Sequence, residues 1–213
     1  MVHGKGTGEH VNKMDVPILV VPRQKLLGAE HFTGFKPAHE FNYEERILAH
    51  VHPMRRGDAE ENAAFKQPIC YVAIVNPAMR KVFAYPRTPQ GGDPRIHGKW
   101  SWGMGGHVEP CDTGNPLHAS MLRELQEEIT FTPASTPRPL GYINYEDSPI
   151  SSVHFGMLYV VETASGVKLN EDAHAQGRFL SLEELKSLCS TADVEDWSKI
   201  ALEPLERYFE ARP

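Results

Sequence analysis

The sequence predicts an α/β fold in which a mixed sheet carries helices on both faces, with an extension at the N-terminus. Three observations lead there. Short runs rich in β-branched and aromatic residues recur along the chain and read as strands. Between them lie segments whose apolar residues recur at helical spacing. The two kinds interleave without a strict strand–helix–strand repeat, which favours a mixed sheet over a wholly parallel one.

Taken in order, residues 1–15 (MVHGKGTGEHVNKMD) are polar and glycine-containing and are expected to be flexible. VPILVVP (16–22) is a short buried strand closed by proline. NYEERILAHV (42–51) sets Ile47, Leu48 and Val51 on one side of a helix, whereas MRRGDAEENAAFKQ (54–67) is charged and only weakly helical. ICYVAIV (69–75) and KVFAYPR (81–87) flank the turn-type NPAMR and form a strand pair. TPQGGDPRIHGK (88–99) is a Gly/Pro-rich loop, and KWSWGMGGHVEP (99–110) a short strand opening into glycines. NPLHASMLRELQEEI (115–129) is a helix with Pro116 in its first turn, where a missing N–H is harmless. PLGYINYE (139–146), VHFGMLYVVE (153–162) and GRFLS (177–181) are further strands. Ser181 and Glu184 make a capping box for SLEELKSLC. The last helix, WSKIALEPLERYFEA, is expected to bend or restart at Pro204. Residues 16–213 read as one domain with its core at about 68–190.

Composition narrows the function. A formal charge of −6 gives no positive field for nucleic acid or an anionic membrane, and no apolar run approaches the ~20 residues of a membrane span. The three cysteines are scattered and the start lacks a secretory apolar core, so a cytoplasmic protein is expected. There is no GxSxG elbow and no HxH or HExxH zinc spacing. His107 and His154, each alone in its stretch, read as satisfied polar residues.

The chemistry is concentrated in RELQEEITF (123–131). With Glu124 as origin, Glu127 lies about 60° to one side and Glu128 about 40° to the other, so three carboxylates share one helical face. Leu122, Leu125 and Ile129 are expected on the opposite side, packing on the sheet. Like charges at these spacings cost roughly 0.2–0.5 kcal/mol per pair when exposed, and more when buried. Arg123 can compensate only in part, and a hard divalent cation, Mg²⁺ or Mn²⁺, is the simplest remedy. A solvated acidic face is the other reading of RELQEE alone, and the glycine-rich WSWGMGGHVEPCD (100–112) just before it favours the metal.

These two segments together resemble the box of the Nudix (MutT-type) hydrolases: Gly, five residues, Glu, seven residues, then Arg-Glu-U-X-Glu-Glu-X-Gly-U, where U is apolar. Gly106, Arg123, Glu124, Leu125, Glu127, Glu128 and Phe131 match it. Asp112 stands where the first Glu belongs, ten residues separate it from Arg123 instead of seven, and Thr130 replaces the Gly. The wider run YPRTPQGGDPRIHGKWSWGMGGHVEPCD looks like a subgroup of predicted phosphoesterases.

The resemblance implies a Nudix-type α/β/α sandwich that hydrolyses a nucleoside diphosphate derivative, a small-molecule substrate, by water attack at phosphorus. It implies Glu124, Glu127, Glu128 and the Gly106 carbonyl as metal ligands and Arg123 as the group orienting a glutamate. The general base is a box glutamate or a loop carboxylate, with Glu171 the loop candidate and Glu146 and Asp147 the next choices. Arg87 and Arg95 are candidates for phosphate contacts and Trp102 or Trp100 for stacking on a base, core packing being the other reading of the tryptophans. Nudix enzymes are often dimers, so a homodimer is open to this chain. Cys111 is similar in placement to a cysteine of the isopentenyl-diphosphate isomerases of the same fold, and a ligand sensor is the other non-hydrolytic alternative. The intact glutamates favour hydrolysis over both.

Overall fold

The computed structural model describes residues 12–29, 31–88, 94–112, 114–170 and 177–212. The apolar run ILVV becomes β1 (Pro17–Pro22), with all four of these side chains buried. It leads into α1 (Arg23–Leu27), β2 (Gly34–Pro37) and α2 (Tyr43–His50). Asn42 caps α2 by accepting the Glu45 N–H at 3.2 Å. Tyr43 and Ile47 face inward, while Leu48, expected beside Ile47, is 39% exposed, because one helical step turns the side chain by about 100°.

The charged stretch read as weakly helical divides in two: β3 (His52–Arg55), which pairs with β1, and the single turn α3 (Arg56–Glu60). Residues 1–11 of the segment expected to be flexible lie outside the described residues. Within residues 12–15, Asp15 forms an ion pair with Arg55 and the Met14 carbonyl accepts the Gly57 N–H.

β4 (Phe65–Asn76) and β5 (Lys81–Pro86) form the expected antiparallel pair, with Arg80 of the turn at φ +51°. After β6 (Trp100–Ser101) come α4 (Pro116–Glu128), β7 (Ile129–Thr130), β8 (Arg138–Asn144) and α5 (Pro149–Val153). The chain ends with β9 (His154–Glu162), β10 (Lys168–Leu169), β11 (Arg178–Ser181), α6 (Leu182–Thr191) and α7 (Asp196–Glu210). The capping box of Ser181 and Glu184 is formed. α7 runs through Pro204 as one continuous helix, so it does not restart there.

The described strands build a nine-stranded mixed sheet with the path β11-β5-β4-β9-β8-β2. At its centre β4 and β9 are parallel, from Gln67↔His154 to Val75↔Glu162. Because side chains alternate along a strand, Cys70, Val72 and Ile74 enter one core with α1, α2 and α4, whereas Tyr71, Ala73 and Val75 enter the other with α6 and α7. The result is the predicted α/β/α sandwich.

One polar group is carried deep into the sheet. Lys66 is fully buried, donating to the Ser152 carbonyl at 2.7 Å and pairing with Glu146 at 2.9 Å. Burial alone would raise the Glu146 carboxyl, but its bonds to Lys66 and Arg23 outweigh this and hold it below the usual range. A depressed carboxyl contributes stability above its unfolded value and loses it as pH falls through the folded value. Glu146→Ala leaves the buried ammonium without a counter-charge and should cost about 3 kcal/mol, a denaturant titration at pH 7 being the check. The difference from the parent should shrink below about pH 4.

Candidate active site

The segment after β6 is drawn along β4 by two-way hydrogen bonding of Met104 with Val72. This brings Gly105 so close that an added Cβ would lie 1.7 Å from the Cys70 carbonyl oxygen, and its φ of +146° also requires glycine. At Gly106 a Cβ would fall 2.4 Å from the Glu124 carboxyl carbon. Glycine there lets an acidic side chain lie directly against backbone.

α4 does not divide its faces as the sequence suggested. Leu125 and Ile129 are buried, but Leu122 is 50% exposed, and Leu117, Ser120 and Met121 supply the rest of the inward face. On a helical wheel Leu117, Met121, Glu124 and Glu128 lie within one quadrant. The acidic patch therefore continues the buried face, with Glu124 mostly enclosed and Glu127 open to solvent. Desolvation raises the Glu124 carboxyl despite the opposing charge of Arg123.

Arg123 ties the box together. Its Nε and Nη2 donate to the two Asp112 oxygens at 3.1 and 3.3 Å, and Nη2 also reaches the His107 carbonyl at 3.0 Å. Nη1 donates to Glu124 at 2.7 Å and lies 3.6 Å from Glu127. Asp112, almost fully enclosed, also accepts the Glu109 N–H, so the shorter acid clamps the arginine and fixes the loop. Asp112→Ala should free Arg123 and, if the box holds a divalent cation, weaken Mn²⁺ binding about 10–100-fold, measured by titration.

The other departures from the box have local explanations. The longer loop supplies Asn115, which caps α4 through the Leu117 and His118 N–H groups. Thr130 serves where Gly is usual because Ile129 leaves the helix in extended geometry, straight into β7 paired with β10. Asn170 closes the helix end, its N–H on the Glu128 carbonyl and its amide on those of Gln126 and Glu127.

A cavity of about 550 Å³ opens over the box, within the size range of small-molecule sites. Glu109, Glu124, Glu127 and Glu128 face it together with Arg56, Arg87, Arg95 and Arg123. Of the residues singled out from sequence, Arg87 lines the wall but is committed to a buried ion pair with Glu195, which also accepts from Ser101 and Tyr71. Arg95 lines it too, its Nη2 2.6 Å from Glu60. Trp102 is 1% exposed in the core under α7, so its faces are closed to a base. Trp197, which no motif marked, stands on the cavity wall instead. Glu171 lies outside the described residues. Glu146 is occupied by Lys66 and Arg23, and neither it nor the exposed Asp147 lines the cavity. The exposed Cys111 donates to Glu109, and partial desolvation together with that carboxylate raises its thiol, which does not favour a reactive thiolate.

Beside the box, three residues from distant parts of the chain converge: Glu60 of α3, His107 and His154. Burial first, then His154 and the nearby arginines, hold His107 well below the usual histidine range. His154 is lowered by burial as well. The NUDIX domain family matches residues 66–201, and the chain belongs to the Nudix family. It is 34% identical over 209 residues to Protein YmaB of Bacillus subtilis (strain 168), spanning 92% of this chain and 100% of that one. Tm1382, described as a candidate Nudix hydrolase, matches with a TM-score of 0.77 at 26% identity, over 90% of this chain and 99% of its own. The NUDIX domain of Shewanella oneidensis NrtR, complexed with ADP ribose, shares the fold at a TM-score of 0.52 and 15% identity, over 67% and 88%. Among the described residues no helix is long and apolar enough to cross a membrane.

Proposed function

We propose that this Nudix-type hydrolase cleaves a diphosphate linkage in a nucleoside diphosphate derivative, using Mg²⁺ or Mn²⁺. The observation that carries the reading is the Glu124 carboxylate seated against Gly106 in a cavity walled by both carboxylates and guanidiniums. Such a mixture suits a diphosphate only if cations separate its oxygens from the acids. Glu124, Glu127 and Glu128, with the Gly106 carbonyl, would hold the metal. Bound there, it would neutralise phosphate oxygens and acidify a water.

The chain's own side chains do the rest. Arg123 fixes the Glu124 carboxylate, Arg95 faces the entering phosphates, and Arg87 with Glu195 makes a rigid wall beneath them. Trp197 takes the stacking role that enclosure denies to Trp102. A proton from the attacking water goes to Glu127, the most open of the box acids, with Glu171, outside the described residues, the other candidate from sequence.

The test is product release from nucleoside triphosphates, dinucleotides and nucleoside diphosphate sugars, ADP ribose included, with Mg²⁺, with Mn²⁺ and with chelator, beside Glu127→Gln. Metal-dependent turnover of one class, lost in the variant, is the expected result. Tight metal binding with no turnover of any member would reject hydrolysis in favour of a ligand sensor.

A further inference from the structure

We propose that Glu60, His107 and His154 form a second metal site, suited to a borderline transition-metal ion such as Zn²⁺, on the wall of the same cavity. It stands apart from the hard-cation site of the box glutamates and does not depend on the hydrolase reading. The geometry carries the assignment. The Nε2 atoms of His107 and His154 are 3.2 Å apart, and Glu60 Oε1 lies 3.9 and 3.8 Å from them. A triangle with edges 3.2, 3.8 and 3.9 Å has a circumscribed radius of about 2.1 Å, so one point sits at zinc-ligand distance from all three atoms.

The surroundings are those of a site built for a cation. Glu60 is 6% exposed at its side chain, and its Oε1 has no hydrogen-bond partner. At 3.8–3.9 Å the histidines are too far to supply one. Its other oxygen is held by Arg95 at 2.6 Å, which fixes the carboxylate with Oε1 aimed at the imidazoles, and Arg56 Nε stays 3.7 Å from Oε1. His154 Nδ1 donates to the Ile150 carbonyl at 2.5 Å, which leaves the Nε2 lone pair pointing into the cluster. Metal-bound histidines are commonly oriented by such a bond. Without metal, His107 Nε2–H donates to Gln67 Oε1 at 2.6 Å, so zinc would take that position once the ring proton moves to Nδ1. Two imidazoles with one carboxylate favour zinc and its neighbours over magnesium. With Arg56 and Arg95 beside it, the loaded site is strongly cationic and would draw an anionic oxygen of a ligand in the cavity.

The test uses the full chain, stripped with chelator and then titrated with Zn²⁺ in excess Mg²⁺, which occupies the box acids. The expected result is one zinc per chain and an X-ray absorption spectrum containing two imidazole nitrogens. Glu60→Gln and His154→Asn should weaken binding on the order of 100-fold or more, while Glu124→Gln and Glu127→Gln leave it unchanged. If His154→Asn does not fold, Glu60→Gln and the parent's absorption spectrum decide. No zinc uptake, a zinc sphere without imidazole, or loss of zinc in the box variants would each overturn the assignment.

Discussion

Glu124→Gln is expected to lower kcat/KM about 10²–10³-fold while leaving the metal-free protein at least as stable as the parent. Glutamine keeps the shape that fits against Gly106 and can still accept from Arg123, but it lacks the charge that the proposed cation would need. The lost acceleration corresponds to about 2.7–4 kcal/mol of transition-state stabilisation. Stability moves the other way because the carboxyl is desolvated and sits above its usual value even with Arg123 beside it. An acid raised in the folded state contributes stability at low pH that is lost as pH rises through its folded value, so the ionised parent carries a cost at pH 7. Thermal melts in chelator across pH 4–7 should show this dependence in the parent and not in the variant. A variant that loses both activity and stability would make Glu124 an ordinary structural residue.

Gly105→Ala should be the most damaging single methyl, at about 4 kcal/mol or more, enough to prevent folding in a marginal background. The new Cβ meets main chain, the Cys70 carbonyl on the central strand, and backbone cannot swing aside as a side chain can. The positive φ adds strain on the order of 1–3 kcal/mol. Gly166→Ala is the control, since nothing lies within 4 Å of its added carbon. Denaturant midpoints of the two variants should separate sharply, and equal midpoints would contradict the close packing of the box loop on β4.

Sequence periodicity revealed the strands that became β1, β4, β5, β8, β9 and β11 and the helices α2, α4, α6 and α7, most of which carry an apolar run or a cap. It missed β2, β3, β7, β10, α1 and α5, each two to five residues long, whose partners are supplied by tertiary contacts. The box was legible because its spacing is local to one loop and one helix. The orientation of α4 was not, since the wheel shows which residues share a side but not which side meets the sheet. Trp102 looked available only because burial does not show in a tryptophan's neighbours in sequence. The Glu60–His107–His154 cluster has no spacing to read. It depends on the parallel register that sets Gln67 beside His154 and on a helical turn placed just before β4.

That parallel register also has a kinetic side. Partners such as Gln67 and His154 are roughly ninety residues apart, a separation that raises contact order and slows closure of the central pair. During synthesis β4 must wait, paired only with β1 and β5, until β9 has left the ribosome. A chain interrupted before residue 154 would keep an open apolar strand edge at its middle, the kind of edge that recruits other chains. The box loop, laid along β4, therefore emerges early but acquires its full support late, and a binding-competent cavity is one of the last features this chain can complete.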